Sequence, residues 1–256
     1  MHMKFGRQMH GFHPAICDNT KSFVGRLGRR VIVMKILAHR GWWLAPHERN
    51  TLGAFDKAFA SGHGVELDVR DLNGELVISH DPPTTGALPF ARVLECYAAK
   101  GAPGLLAINI KADGLCPALV PMLDQYGVTR RSFVFDASVP DLRPYLDSDV
   151  PVFTRYSEVE LYPSFYDRCE GVWVDSFTEK PASIERAIDD LRRGKYVAMV
   201  SPELHKRPHE AVWAAWSAAL RQAAKSGLPF ERLMICTDLP DAAEQSFAWM
   251  VEEEVT

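Results

Sequence analysis

Four short polar clusters contain residue types that could do chemistry: His39-Arg40, Glu66-Leu67-Asp68, His80-Asp81 and Asn109-Ile110-Lys111. In an extended segment, period-two alternation turns Glu66 and Asp68 to the same face. Two carboxylates directed into a protein interior are costly unless they pair with cations or bind a metal. Together with water they form a ligand set for a hard cation, so Mg²⁺ or Ca²⁺ is the expected cofactor. The competing reading is an internal salt bridge to Arg40 and Lys111. Asn109 and Lys111 share a face by the same rule, and a lysine beside a metal suits phosphate oxygens; alone it would read as a solvated lysine. A Schiff-base lysine is the other chemical reading of Lys111. It needs an apolar pocket that favours the neutral amine, and neighbouring carboxylates work against that. His39 and His80 are the candidate acid–base pair, because imidazole titrates near neutrality and one ring can accept a proton while the other donates one.

These clusters need a frame that brings them together. Eight short apolar runs recur along the chain, at 31–38, 64–69, 105–110, 133–135, 150–153, 171–174, 196–200 and 233–236. They are rich in β-branched and aromatic residues and bounded by turn residues, as buried strands are. Between them lie helical patterns. Asn50 is placed to cap a helix over 51–60, and apolar residues at three- and four-residue spacing mark 183–193 and 209–225. Strands alternating with helices demand a parallel sheet. Eight such units in about 220 residues predict an α/β fold, an eight-stranded parallel (β/α)8 TIM barrel. A doubly wound open sheet is the alternative, but His39-Arg40-Gly41 stands where a glycine-rich nucleotide loop would be. Asn73-Gly74 between extended segments predicts a small β-hairpin inserted after the second strand. The return strand would carry His80 back to the barrel mouth. All eight runs end in polar or ionisable residues, among them Asp136, Arg155, Asp175 and Asp238. In such barrels chemistry collects at the carboxyl ends of the strands.

The remaining features are quieter. A chain of 256 residues with 47% hydrophobic content suits one barrel domain, expected over 31–256. The net charge of −4 gives no overall signal for nucleic acid. Five scattered cysteines form no CxxC motif, which fits a reducing cytoplasm. No apolar run is long enough for stable membrane insertion. Residues 1–33 hold six basic residues and one acid, leaving 23 basic against 32 acidic in the rest. They lack a signal-peptide core. Residues 1–30 therefore read as a basic, loosely ordered extension ahead of Met34. Trp213 and Trp216 read as core and Cys236 as inert packing. Trp42 and Trp43 read either as a substrate-stacking pair or as a cover for the barrel end. Asp175 and the run from Ser201 to His205 could line a pocket or simply make a helix-entry turn.

In this order and spacing the motifs resemble the glycerophosphodiester phosphodiesterase family of the phospholipase-C-like phosphodiesterases. The matching segments are His39-Arg40-Gly41, Asn50-Thr51-Leu52, Glu66-Leu67-Asp68-Val69, His80-Asp81 and Ile108-Asn109-Ile110-Lys111, and they span roughly residues 36–111. The resemblance implies a β/α barrel that cleaves a small-molecule phosphodiester in lipid metabolism. His39 and His80 would be the general acid–base pair. Glu66 and Asp68 would hold the divalent metal, and Arg40 and Lys111 the phosphate. The form is atypical, with Asn109 where the family carries a third metal-binding acid; its amide oxygen would be a weak ligand. Glu48 also stands one residue from the family's Pro-Glu-Asn position, with Arg49 in its place. Either it reaches the site through an altered loop or that ligand is lost. Two alternatives stay open. One is a catalytically weakened barrel that binds a sugar phosphate or lipid headgroup. The other is a lyase of the same superfamily that forms a cyclic phosphate.

Overall fold

A computed structural model of the chain describes residues 34–251. The basic extension over 1–30 lies outside the described residues. The chain opens with β1 (Lys35–His39), α1 (Leu52–Ala60), β2 (Gly64–Leu72), β3 (Glu75–Ile78), β4 (Leu88–Pro89) and α2 (Phe90–Ala99). The middle section comprises β5 (Leu106–Ile110), α3 (Cys116–Gln125), β6 (Ser132–Phe135), α4 (Val139–Leu146), β7 (Phe153–Tyr156) and β8 (Gly171–Val174). It closes with α5 (Ile184–Arg192), β9 (Tyr196–Val200), α6 (Glu210–Ala224), β10 (Leu233–Thr237) and α7 (Pro240–Phe247).

The architecture is α/β with one central sheet. Strand β1 pairs in parallel with both β2 and β10, so the first and last strands of the sheet are neighbours. Parallel ladders continue from β2 through β5 to β6, and from β7 through β8 and β9 to β10. Between β6 and β7 there is one parallel bridge, Val134 to Val152, in place of a ladder. The expected closed barrel of eight parallel strands is corrected at that point, where the ladder is interrupted and the sheet does not close. Antiparallel β3, the return strand of the expected hairpin, and β4 beside it make the sheet mixed.

The expected strand at 150–153 is shifted, because the ladder on β8 begins at Phe153 and runs to Tyr156. Pro151 has no amide hydrogen to donate. Its carbonyl accepts from Val134 N–H at 2.9 Å, part of the single bridge to β6. Asn73 and Gly74 both adopt positive φ, 53° and 85°, as a type I′ turn requires. The predicted hairpin is therefore present as β2–β3.

Alternation along the strands divides the core. Leu37, Ala107, Phe133, Phe135, Phe153, Trp173, Ala198 and Met234 pack together on one face of the strands. Their neighbours in sequence, such as Ala38, Val65, Leu67, Ile108, Val172, Val197 and Ile235, pack under the helices instead. Trp213 and Trp216 of α6 belong to that helix-facing layer, as expected. Large rings fill the inner layer where the ladder is weakest: Phe133 stacks on Phe153, and Phe135 on Trp173, each with centroids 3.9 Å apart. Gly171 leaves room for the Phe153 ring, which a Cβ at that position would overlap. Gly171→Ala should therefore cost about 1–3 kcal/mol through overpacking, read as a lower urea midpoint.

Candidate active site

The inner layer turns polar at the carboxyl ends of the strands. His39 pairs in register with Glu66, and Asp68 with Asn109. Glu66 and Asp68 are 2% and 0% exposed, and Asn109 is 7% exposed. The two carboxylates have different environments. Asp68 is well compensated: Arg40 Nε lies 3.0 Å from it, Lys111 Nζ 3.5 Å, and the Asn50 amide donates to it at 2.8 Å. Glu66 has weaker partners. It accepts from Asn109 Nδ2 at 3.1 Å and from the Arg40 backbone N–H at 3.3 Å, and His39 Nε2 stands 3.9 Å away. The salt-bridge reading therefore accounts for Asp68 and leaves Glu66 without a side-chain cation in contact, apart from a protonated His39.

Burial first, and then Asp68, push the Glu66 carboxyl up to about 7, against the opposing pull of His39, Lys111 and Arg40. An unfolded glutamate titrates near 4.5. The folded state thus holds the extra proton between these values. Its contribution to stability is present below pH 4.5 and is lost as pH rises through 7. Glu66→Gln should flatten the unfolding free energy of the metal-free protein across pH 4.5–7. Chelator-treated samples unfolded in urea at several pH values would measure this.

The oxygen atoms fit a hard divalent cation. Asn109 Oδ1 is buried without a hydrogen-bond donor, and Asp68 Oδ1 has only the Lys111 ion pair at 3.5 Å, beside the undercompensated Glu66. Such acceptors are costly unless something satisfies them. Glu48 is not part of this set. Its carboxylate accepts from the N–H groups of Leu44 at 2.7 Å and Ala45 at 3.1 Å, and so caps its own loop. The one-residue offset in Pro46-His47-Glu48-Arg49-Asn50 has this local consequence.

The loop after β1 is shaped for close approach. Arg40 and Asn50 have positive φ near 57°, which costs roughly 1–3 kcal/mol at each non-glycine position. A Cβ on Gly41 would lie 2.8 Å from Ala54, so glycine is required there. The helix cap differs from expectation. Thr51, not Asn50, caps α1 by accepting from Ala54 N–H, which frees Asn50 to reach Asp68. The two tryptophans separate: Trp42 lies against α1 with Lys57 Nζ 4.2 Å from its ring centroid, while Trp43 donates to the His39 carbonyl at 3.0 Å and stacks on Arg49.

His39 Nδ1 is 2.6 Å from Asp238 Oδ1, at the end of β10. A carboxylate can only accept here, so Nδ1 carries the proton and Nε2, on the Glu66 side, is the basic nitrogen of the neutral ring. Asp238 is itself held by Arg49 at 3.5 Å and by its own N–H, which donates to Glu203. Glu203 also accepts from Thr237 and Ser201. In sequence, Asp238 reads only as a strand-end acid and Glu203 only as part of a possible pocket. Their signal was position at a strand end, with nothing to identify the partner.

His80 is delivered by the hairpin. Ser79 N–H donates to the Asp68 carbonyl at 3.0 Å, so the returning chain meets β2 at the level of Asp68. The His80 side chain is 45% exposed and bonds Asp81 at 2.9 Å. Arg40, joined directly to Asp68, also helps to hold the Asp81 carboxyl below its ordinary range, behind the larger effect of His80. His39, Arg40, Glu66, Asp68, Asn109 and Lys111 thus form one contact network, and His80 follows Ser79, whose N–H meets β2 beside it. Lys111 continues the network to Asp136, 4.0 Å away, which Arg155 holds at 2.9 Å. A lysine between two carboxylates is in ion-pair surroundings, so the Schiff-base reading loses its support. His205 and Asp175 make a second imidazole–carboxylate pair at 2.8 Å. Cys236 is fully buried in the inner layer, where burial pushes its thiol well up, as inert packing requires.

The fold thus defined is α/β, with a mostly parallel central sheet covered by helices. Three solved structures share it. A protein from Galdieria sulphuraria assigned as a glycerophosphodiester phosphodiesterase matches with a TM-score of 0.62 at 17% identity, over 86% of this chain and 100% of its own. A glycerophosphodiester phosphodiesterase from Parabacteroides distasonis matches at 0.58 and 18%, over 86% and 98%. A protein from Silicibacter pomeroyi assigned as a glycerophosphoryl diester phosphodiesterase matches at 0.60 and 17%, over 85% and 94%. No protein-family model and no curated protein matches the chain. No helix of the described residues is long and apolar enough to cross a membrane.

Proposed function

We propose that this chain is a metal-dependent phosphodiesterase of the glycerophosphodiester phosphodiesterase type, working at the rim formed by the carboxyl ends of the parallel strands. One observation carries the reading: an Asp238-oriented His39 stands beside two buried carboxylates and two cations on the same rim. The fold shared with the three phosphodiesterase structures supports it.

Glu66, Asp68 and the Asn109 amide oxygen would hold Mg²⁺ or Ca²⁺. The ion would supply charge neutralisation at a non-bridging phosphate oxygen. Arg40 and Lys111 bind the phosphate from the side, each already anchored on Asp68. His39, with Nδ1–H committed to Asp238, takes the proton of the nucleophile at Nε2. His80, half-exposed and paired with Asp81, protonates the leaving alcohol. The nucleophile is water, or a neighbouring hydroxyl of the substrate, which yields a cyclic phosphate. Retention of both histidines favours turnover over binding alone, since a binding site needs no acid–base pair.

The exposed large hydrophobics among the described residues, Leu44, Val139, Val159, Leu161, Tyr162, Phe177 and Leu239, all follow the carboxyl ends of strands. The substrate panel should therefore pair glycerophosphodiesters with their singly acylated counterparts, beside bis-p-nitrophenyl phosphate. Cleavage that needs Mg²⁺, Ca²⁺ or Mn²⁺ and stops with EDTA is expected for at least one member. Absence of cleavage, together with no calorimetric heat on metal addition, would turn the reading towards a binding barrel weakened by Asn109.

A further inference from the structure

Away from the mouth, the turn 61–63 leads from α1 into β2. Gly64 faces Leu37 in the inner layer, so alternation turns His63 outward, under the helices. There α7 packs against β1. The His63 residue is 7% exposed, yet its ring makes no hydrogen bond to any described residue. Its neighbours are the Trp42 ring, 5.7 Å away between centroids, and the carboxylates of Asp241 and Glu244. One ligand atom from each of His63, Asp241 and Glu244 lies within 4.8 Å of the other two.

The two acids have an ordinary role. They sit in the first two turns of α7, where negative charge complements the helix dipole. That role does not explain why a largely buried imidazole approaches both carboxylates. The acids are three residues apart and so share one helix face, as two ligands of one ion must.

We propose that His63, Asp241 and Glu244 form a second metal site, separate from the mouth, which takes a first-row transition ion of the zinc type. An imidazole with two carboxylates suits zinc, copper or nickel, whereas the all-oxygen mouth suits magnesium or calcium. Three protein ligands leave a position for water. A bound ion ties the last described α-helix, α7, to the turn that starts the carboxylate-bearing strand. The site stabilises the fold and performs no chemistry.

The test is thermal unfolding of the full chain with and without Zn²⁺, so it does not depend on activity. At a hundredfold excess over the dissociation constant the midpoint should rise by on the order of 5 °C. The Asp241→Asn, Glu244→Gln double variant changes only exposed side chains and should unfold normally without zinc but lose the zinc-induced rise. Asp68→Asn, which impairs the mouth, should keep it. Cu²⁺ should quench Trp42 fluorescence in wild type and leave it unquenched in the double variant. An equal zinc response in wild type and the double variant, or none in either, would overturn the proposal.

Discussion

Replacing His39 or His80 by alanine lowers phosphodiester cleavage by roughly 10²–10⁴-fold, the usual contribution of a general acid or base. The thermal midpoint stays near that of wild type in both variants. His80 is half-exposed and bonds only its neighbour Asp81, so its loss disturbs no packing. The loss of His39 leaves the Asp238 carboxylate still bonded to Arg49 and its backbone N–H still donating to Glu203. The two variants should differ in their pH profiles. His39→Ala removes the limb that requires a deprotonated group, and His80→Ala the limb that requires a protonated one. Asp238→Asn should keep the fold and lose rate, because an amide can present its own N–H to Nδ1 and favour the wrong tautomer. A large fall in midpoint with the rate preserved would make His39 a structural residue.

The second large effect concerns Asp68. Arg40, Asn50 and Lys111 all converge on its carboxylate. Asp68→Ala leaves two partly buried cations without that partner and should cost about 3–5 kcal/mol, as broken buried ion pairs do. Asp68→Asn retains the shape and part of the hydrogen bonding, so it should cost less stability. Both should lose divalent-cation binding. Urea unfolding and calorimetric titration on the pair separate the two roles. Wild-type stability and wild-type metal affinity in Asp68→Ala would mean that this carboxylate serves neither.

These groups were legible in sequence to different degrees, and the physics explains why. Glu66 and Asp68 could be placed on one face because strand alternation is local. The Asn73-Gly74 hairpin was legible because few turns tolerate two consecutive positive φ values, and it carried His80 to the level of Asp68. Asp238 could not be assigned to His39, because 199 residues separate them and only the pairing of β1 with β10 brings them together. Asn50 misled for the opposite reason. Its residue type marks it as a helix cap, but it adopts positive φ and bonds Asp68, and Thr51 caps α1 instead. The strand expected at 150–153 is shifted to Phe153–Tyr156 in the ladder on β8, while Pro151, which faces β6, can accept from Val134 but has no N–H to donate back. Glu48 kept its residue type while moving one position, and a loop's own N–H groups took it up.

The central claim is chemical, and ³¹P NMR of a glycerophosphodiester incubated with the purified chain tests it most directly. With Mg²⁺ or Ca²⁺ the diester resonance should give way to a phosphomonoester or a cyclic phosphate, and the spectrum would distinguish the two outcomes. With EDTA, or with His39→Ala, it should persist. A diester resonance unchanged with every divalent cation and every substrate in the panel, or one consumed equally by His39→Ala, would contradict the account.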